Sequence, residues 1–340
     1  MFLRILAVLF CLAVAAALLI SGWPGLFGLE LAPVIAQVVS LRAGVIMIAL
    51  TLMVIFILIS INKKLRAFGL TIVAMLTVFC LASGGVLISR GVDSEPITDV
   101  RDGDVLVLTW NTLGDAPGID TIANVVQESG ADIVTLPETT RETGIAIANK
   151  LRDEHGNPFW VHSTVFEPGY GALNTTLLIS ASLGEYTTDL EVGQTRTLPT
   201  IVARPSSGEG PVIVATHPVA PVPTQMRNWR ADLEFVAGLC EEPNIIIGGD
   251  FNSTLDHWSS FASDGGDLGK CVDAGSKTGT GGLGTWTTEV PSWLGTPIDH
   301  VLASQNWEPI DSYLVTDHDD VGSDHRPLLV QLRAVTPVGE

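Results

Sequence analysis

The sequence predicts an α+β sandwich of packed sheets flanked by helices, preceded by three transmembrane helices. Three observations lead to this prediction. Residues 1–90 contain three long apolar segments that have no charged side chain. The remainder contains many short apolar runs, separated by turn-forming residues, that are typical of strands. Amphipathic helical patterns lie between these runs, and short strands interspersed with helices indicate sheets packed face to face with helices outside.

Charge divides the chain into two parts near residue 91. The 340 residues carry a formal net charge of −19, although the mean hydropathy is positive, at +0.38. Only one of the 37 acidic residues and six of the 18 basic residues lie before residue 91. The remainder therefore holds 36 acidic and 12 basic residues, a net charge of −24. We predict a membrane anchor at 1–90 and one catalytic domain of ordinary size at 104–334.

Three segments of the anchor, at about 5–21, 43–61 and 67–88, approach the roughly 20 residues that a helix needs to cross a bilayer. A charged side chain at the centre of such a helix would cost roughly 2.5–3.5 kcal/mol, which explains why these segments contain none. A cleaved signal peptide is the alternative for the first segment, because Arg4 precedes its apolar run. Prolines and glycines interrupt the stretch 22–42, which predicts a loop at the membrane interface.

The loop between the second and third segments sets the expected orientation. Lys63, Lys64 and Arg66 form a basic cluster there, and short basic loops stay in the cytoplasm. We therefore predict a multi-pass protein of the cell membrane with a cytoplasmic N-terminus and an extracytoplasmic catalytic domain. An oxidising compartment would permit a disulfide between Cys240 and Cys271, but the sequence leaves open whether these two residues lie close enough.

The soluble part begins with a polar linker at 91–103 and ends with a short tail at 335–340. Apolar residues at helical spacing predict helices over 118–129 and 224–239. The strand-like runs lie at 105–109, 133–136, 177–179, 212–215, 245–247, 298–302 and 328–330.

Polar side chains end or interrupt six of these strands. Some of them have a plain structural interpretation: Asn111 as a turn residue, Glu138 as a cap of the following helix, and His217 as a structural histidine. Asp299 is harder to explain in this way, because an unpaired carboxylate inside an apolar strand is costly to bury. The polar residues at the strand ends are Asn111, Glu138, His217, Asp250, Asn252, Asp299, Asp324 and His325.

Taken together, these side chains match the requirements of phosphate-ester hydrolysis. Hard divalent cations such as Mg²⁺ prefer oxygen ligands from carboxylates and leave room for a substrate phosphate. Hydrolysis then needs a base for water, a group that stabilises the developing charge, and a positioned acid.

The motifs resemble those of the endonuclease/exonuclease/phosphatase superfamily, the DNase-like hydrolases. The resemblance extends from about residue 105 to 332 and implies a four-layered α/β sandwich of two packed sheets with helices outside. Seven motifs occur in the family order: Trp-Asn at 110–111, Pro-Glu at 137–138, Thr-His at 216–217, Gly-Asp-Phe-Asn at 249–252, Thr-Trp at 285–286, Ile-Asp-His at 298–300 and Ser-Asp-His at 323–325.

The resemblance also implies a role for each polar residue. Glu138 resembles the principal carboxylate for a Mg²⁺ or Mn²⁺ ion, with Asn111 and Asp324 nearby. Asp250 is expected to orient or deprotonate the attacking water, and Asn252 to hold a phosphate oxygen.

The resemblance also pairs one acid with a histidine. Asp299 is expected to orient its histidine partner, and His325 is expected to contact the phosphoryl group and stabilise the transition state. His217 is expected either to do the same or to protonate the leaving group, and both assignments remain open.

Family resemblance does not fix the substrate. Proteins gain most of their affinity for nucleic acid from basic side chains, and the acidic balance disfavours a tight binder of duplex DNA. The expected partners are the lipid bilayer and a phosphate ester, whether a small diester, a lipid head group or a nucleic acid; no protein partner is implied. The alternatives are an extracytoplasmic nuclease and a non-catalytic sensor or scaffold that retains the fold.

Overall fold

The computed structural model describes residues 2–166 and 173–335, so the predicted tail lies, apart from Val335, outside the described residues. Four helices precede the soluble part: α1 (Phe2–Gly22), α2 (Ile35–Ser40), α3 (Arg42–Ile59) and α4 (Arg66–Ser89). α1, α3 and α4 are long and apolar enough to cross a membrane. Their bounds agree with the three predicted segments to within two to three residues.

The three long helices pack on one another and leave much of their apolar surface exposed. Ala49 of α3 is buried against Ile72, Leu76 and Phe79 of α4. The outward faces carry exposed leucine, isoleucine and valine side chains along their whole length. At 1.5 Å per residue, the 18 residues of α3 span about 27 Å, close to the roughly 30 Å of a bilayer's hydrocarbon core.

The stretch between α1 and α3 is more structured than the predicted interfacial loop. It contains a 3-10 helix at Pro24–Phe27 and the short helix α2. Ala36 of α2 is fully buried in a cluster with Trp229 and Leu233 of the soluble part. The glycines and prolines correctly indicated an interruption of the spans, but not that this segment packs against a protein surface.

The soluble part contains twelve strands and four helices among the described residues. The helices are α5 (Gly118–Ser129), α6 (Arg141–His155), α7 (Met226–Leu239) and α8 (Ala274–Thr278). The strands are β1 (Asp104–Thr109), β2 (Ile133–Pro137), β3 (Phe159–Val165), β4 (Asn174–Ser180), β5 (Tyr186–Thr188), β6 (Ile201–Pro205), β7 (Val212–Thr216), β8 (Ile245–Asp250), β9 (Val272–Asp273), β10 (Asp299–Ala303), β11 (Trp307–Leu314) and β12 (Leu328–Ala334).

These strands form two six-stranded mixed sheets. The strand order is β11-β12-β1-β2-β4-β3 in the first sheet and β5-β6-β7-β8-β10-β9 in the second. Each sheet contains one parallel pair, β1 with β2 and β7 with β8, and its other neighbours are antiparallel. Because parallel strands end at the same edge of a sheet, the residues after β1 and β2 lie together, as do those after β7 and β8.

The two sheets pack face to face, with helices on their outer faces. Val107, Ile133, Ile213 and Val301 belong to the cluster between the sheets. A second cluster joins α5 and α6 to the outer face of the first sheet, and a third joins α7 to the second sheet. The predicted four-layered sandwich is therefore confirmed, with every predicted strand and helix present.

A disulfide links Cys240, at the end of α7, to Cys271, beside β9. The two Cα atoms lie 5.4 Å apart, a separation that is usual for a disulfide. This settles the pairing that the sequence left open.

Candidate active site

The ends of the parallel strands bring four of the predicted residues into contact. The Asn111 amide donates hydrogen bonds to Glu138 Oε1 at 3.0 Å and to Asp250 Oδ2 at 3.1 Å. His217 Nε2 lies 3.6 Å from Asp250 Oδ2 and 3.9 Å from Glu138 Oε1. The site therefore spans both sheets, because the first two residues follow β1 and β2 while the other two lie at the ends of β7 and β8.

Asp299 and His325 form a buried pair beside this group. In the β8–β10 ladder Asp299 lies opposite Asp250, and its Oδ2 is 2.7 Å from His325 Nδ1. The other ring nitrogen, Nε2, is 3.7 Å from Asp250 Oδ2 and 3.9 Å from Asp324 Oδ1. Asp299 therefore lies where it can orient the ring and direct Nε2 towards the other carboxylates, the role that the family resemblance implies for it.

Asn252 and Glu138 lie where the backbone leaves a strand in an unusual conformation. Their φ angles are 47° and 59°, in the left-handed region that non-glycine residues seldom adopt. The backbone N–H of Asn252 donates to Asp250 Oδ1 at 2.8 Å, and its side-chain amide donates to Pro218 O at 2.9 Å. Glu138 does not cap α6, since Thr140 is the N-cap residue and accepts from the backbone of Thr143.

Two glycines allow β8 to reach the site. A Cβ at Gly249 would lie 2.0 Å from Thr216 O on β7, and one at Gly248 would lie 2.7 Å from Thr135 Oγ1 on the facing sheet. Any larger residue would push β8 away from β7 or from the other sheet. Close backbone approach therefore explains the Gly-Gly that precedes Asp250 in the sequence.

Other motif residues hold the site together without facing it. The Trp110 indole donates to His325 O at 2.9 Å, and the Ser323 hydroxyl donates to Asn111 O at 2.6 Å. These contacts tie the loop before β12 to the end of β1.

A second tie involves the Thr-Trp motif. The Trp286 indole donates to Asp324 Oδ2 at 2.9 Å, and Thr285 Oγ1 accepts from the backbone N–H of Asp299 at 3.0 Å. Thr285 and Trp286 belong to a family motif, but the sequence analysis assigned them no role. Nothing in the neighbouring sequence indicates hydrogen bonds to residues so distant in the chain.

The two histidines differ in charge. Burial disfavours the charged form of both rings, and for His217 this effect, together with the nearby His325, lowers the pKa to about 3. For His325, burial is outweighed by Asp299 and Asp250, which raise its pKa to about 10. At neutral pH the site therefore contains one neutral imidazole and one imidazolium.

The carboxylates of the site are in excess over its cations. Burial raises the pKa of Glu138, and nearby Asp324 and Asp299 contribute. Burial also raises the pKa of Asp250, to about 7. The adjacent Arg326 does not compensate them, because its guanidinium binds backbone carbonyls and is 2.6 Å from Asp319. Four carboxyl groups thus share one imidazolium, and a divalent cation would favour their ionised forms.

Unpaired oxygens indicate where a cation would fit. Within 2–166 and 173–335, the buried Oδ1 atoms of Asp299 and Asp324 accept no hydrogen bond. Asp250, Asp299 and His325 offer ligand atoms within 4.8 Å of one another and form one candidate metal site. In this group, however, Asp299 Oδ2 already accepts a hydrogen bond from His325. Because Mg²⁺ prefers oxygen to nitrogen, the oxygens of Glu138 and Asp324 fit it better than this histidine-containing group.

The chain is similar to one protein family and to several solved structures. The model of the Endonuclease/Exonuclease/phosphatase family matches residues 108–325, and no curated protein is significantly similar in sequence. Among solved structures, Caenorhabditis elegans TDP2 has a TM-score of 0.51 at 16% identity, over 84% of this chain and 94% of that chain. An endonuclease/exonuclease/phosphatase from Beutenbergia cavernae has a TM-score of 0.50 at 18% identity, over 69% and 73%.

D. rerio TDP2, complexed with a single-strand DNA product, has a TM-score of 0.50 at 17% identity, over 68% of this chain and 100% of that chain. At these identities the solved structures show the fold, and the family model covers more than half of the 340 residues. All seven motifs fall within or directly beside the matched segment. The chain belongs to the endonuclease/exonuclease/phosphatase family.

Proposed function

We propose that this protein is a membrane-anchored, divalent-metal-dependent phosphoesterase that hydrolyses a phosphodiester or phosphomonoester outside the cytoplasm. One observation carries the proposal: Glu138, Asp250, Asp299 and Asp324 surround a site in which His325 is the compensating cation. Such an excess of buried negative charge is costly without a bound cation.

Glu138, Asp324 and Asn111 are the residues that would hold the metal, Mg²⁺ or Mn²⁺. Asn111 lies against these carboxylates: its amide nitrogen donates to Glu138 and Asp250, and its amide oxygen accepts from the backbone N–H of Leu113. When bound, the metal polarises a phosphoryl oxygen and offsets the charge that develops on it.

The protein's own side chains supply the remaining chemistry. Asp250, whose pKa burial raises to about 7, accepts a proton from the attacking water. The water oxygen bonds to phosphorus, the bond from phosphorus to the leaving oxygen breaks, and that oxygen takes up a proton as an alcohol. His325 offers its positive Nε2–H to the phosphoryl oxygens, and neutral His217 has one N–H to donate to the phosphoryl group or the leaving oxygen.

The position of the charges supports an extracytoplasmic domain. Arg42 and Arg90 lie at the ends of α3 and α4 that face the soluble part, where both bind Asp256. Lys63 and Lys64 lie at the opposite end, in the turn between the two helices. Among the described side chains, the basic residues of the anchor that form no ion pair therefore lie at the end remote from the catalytic domain. The positive-inside rule assigns that end to the cytoplasm. A disulfide in the domain also suits an oxidising compartment.

A nuclease is the second candidate, because the fold is shared with D. rerio TDP2, whose structure is complexed with a single-strand DNA product. The net charge of −24 on the part after residue 90 argues against tight binding of long polyanions. Comparing substrates decides between the two candidates.

The test uses the full chain, purified in detergent. Hydrolysis of bis-p-nitrophenyl phosphate, p-nitrophenyl phosphate and plasmid DNA is measured with Mg²⁺, with Mn²⁺ and with a chelator. We expect metal-dependent release of nitrophenol that Glu138→Gln and His325→Ala abolish, while Asp317→Asn, a change of one exposed acid outside the site, leaves it unchanged. Faster turnover of plasmid would make the protein a nuclease, and no turnover by folded, metal-loaded protein would favour the scaffold alternative.

A separate measurement tests the orientation. Single cysteines introduced at Lys63 and Glu95, in a chain lacking Cys11 and Cys80, are labelled in intact cells with a membrane-impermeant maleimide. We expect label at position 95 and none at 63 until the membrane is broken. The reverse pattern would place the domain in the cytoplasm.

A further inference from the structure

The three-helix anchor is docked against the catalytic domain and is not a free tether. Asp256 lies 2.6 Å from the guanidinium of Arg42, at the start of α3, and 2.7 Å from that of Arg90, directly after α4. At most a sixth of each of these three side chains is exposed. His257 Nε2 is 3.0 Å from the carbonyl of Ala36 in α2. The predicted linker is also held, since Gly282 of the catalytic domain donates to the Gly91 carbonyl.

Two of the catalytic-domain residues that contact the anchor, Asp256 and Pro221, lie within a few residues of the active site. Asn252 and Asp256 are four residues apart, so their Cα atoms are separated by at most about 14 Å. On the loop after His217, the carbonyl of Pro218 accepts from the Asn252 amide. Three residues further on, the carbonyl of Pro221 accepts from the amide of Gln37 in α2. The loops that form one side of the site are therefore the loops that hold the anchor.

These distances place the site close to the membrane surface. Arg42 and Arg90 stand at the ends of helices that span about 27 Å or more, and so mark one edge of the hydrocarbon core. The head-group layer beyond that edge is about 5–8 Å thick. A lipid phosphate in this layer can therefore come as close to Asp256 as Asn252 of the active site does.

Exposed apolar side chains lie along this junction. Leu26, Phe27 and Val34 of the anchor segment are each at least half exposed, and Val222, beside Pro221, is 46% exposed. Apolar side chains at this level have a natural environment among lipid acyl chains and head groups. They would give a lipid molecule an apolar path from the bilayer to the loop that borders the site.

Charge favours a substrate that arrives within the membrane. A domain of net charge −24 repels a dissolved polyanion and gains nothing from electrostatic steering. A lipid reaches the site by lateral diffusion, and its single phosphate needs only the local cation and His325.

We propose that the substrate is a phosphate ester carried by a lipid of the same membrane, in the leaflet next to the catalytic domain. The inference rests on the proposed phosphoesterase function and names its substrate class. Water adds to the phosphorus of the lipid, the ester bond to one of its alkoxy oxygens breaks, and that oxygen leaves protonated.

The experiment compares lipids in the protein's own membrane with lipids in another. The full chain is reconstituted in phosphatidylcholine vesicles with Mg²⁺ or Mn²⁺. Fluorescent phosphatidylglycerol or phosphatidic acid is placed either in the same vesicles or in separate vesicles at equal total concentration, and bis-p-nitrophenyl phosphate is added as a soluble ester. We expect hydrolysis of at least one lipid, at least tenfold faster when it shares the protein's vesicle.

Two variants test the docking. Asp256→Asn removes the charge that holds both arginines, and we expect it to slow hydrolysis of the shared-vesicle lipid at least fivefold while soluble-ester hydrolysis stays within twofold of the wild type. Asp189→Asn is the matched control. It removes a carboxylate that lies 2.7 Å from the guanidinium of Arg204, in a part of the catalytic domain whose described residues do not contact the anchor. Arg90→Gln, which leaves the Arg42–Asp256 contact, serves if the first variant does not fold.

Each outcome has a distinct meaning. Cleavage of the soluble ester with no cleavage of either lipid, or with equal rates from shared and separate vesicles, overturns the lipid inference and leaves the phosphoesterase proposal intact. Loss of all turnover with every ester overturns the proposed function itself. Faster cleavage of added DNA than of lipid would assign the site to nucleic acid.

Discussion

Replacing Asp299 by asparagine removes one charge and one strong hydrogen bond from the active site with almost no change in shape. Asp299 Oδ2 accepts from His325 Nδ1 at 2.7 Å, and both side chains are buried. A hydrogen bond between charged groups contributes about 1.5–3 kcal/mol. If His325 stabilises the transition state through this contact, losing that energy lowers kcat roughly 10- to 150-fold, since each 1.4 kcal/mol is a factor of ten.

The structure offers a matched control for this substitution. Asp273 Oδ2 lies 2.7 Å from His300 Nδ1, and this pair is equally buried. His300 directly follows Asp299, but among the described residues its ring bonds only to Asp273 and to the backbone carbonyls of Ser253 and Pro297. Asp273→Asn therefore removes the same kind of hydrogen bond, at a similar cost in stability. We expect its kcat to stay within about threefold of the wild type once the protein is folded.

The assay is steady-state hydrolysis of bis-p-nitrophenyl phosphate between pH 5 and 10, with the melting temperature of each variant recorded in parallel. Because Asp299 helps to raise the pKa of His325, the alkaline limb of the wild-type profile should move to lower pH in Asp299→Asn. Equal losses of kcat in both variants would show that the effect is structural. A kcat for Asp299→Asn within threefold of the wild type would refute the role given to the pair.

Three further predictions concern stability and positioning. The bridge between Cys240 and Cys271 closes a loop of 31 residues, so replacing both with serine should lower the free energy of unfolding by about 3.5 kcal/mol in denaturant titrations; an unchanged midpoint would contradict this. Trp229→Phe removes the indole N–H that donates to Asn252 O at 3.1 Å, and kcat should fall roughly 2- to 13-fold, with KM nearly constant; a change in KM alone would argue against positioning. Burial would raise the pKa of Asp256, but Arg90 and Arg42 outweigh it and lower this pKa to about 2 from 3.8. Stability of roughly 2–3 kcal/mol is therefore present above pH 4 and is lost as the pH falls from 4 towards 2; acid unfolding of Asp256→Asn should lack this component.

The sequence predicted the elements that are apolar throughout and missed those that are half exposed. β1, β2, β7 and β8 are buried on both faces and appear as continuous apolar runs. β3 lies at a sheet edge with mostly partly exposed residues, so its run from Phe159 to Val165 has no clear apolar pattern. In β11, Pro309 and a register shift interrupt the ladder, which removed the signal of an eight-residue strand.

The candidate site was predictable because its residues end strands whose order the family motifs preserve. The supporting contacts were not, because they join positions far apart in the chain. Asp256 meets Arg42 across 214 residues, and neither residue lies in a motif. Pairing of this kind depends on how two independently patterned parts dock, and no local property of either part reports it.

The Asp256 contacts also bear on how the protein is made. The carboxylate that Arg42 and Arg90 share is encoded 166 residues after the second arginine. In the proposed topology, both arginines would compete with Lys63 and Lys64 for the cytoplasmic side until the catalytic domain has crossed the membrane and folded. In the proposed orientation, formation of the ion pairs ends that competition, because reversing the helices would then require two buried salt bridges to break. Folding of the domain would in this way fix the topology of the helices that delivered it.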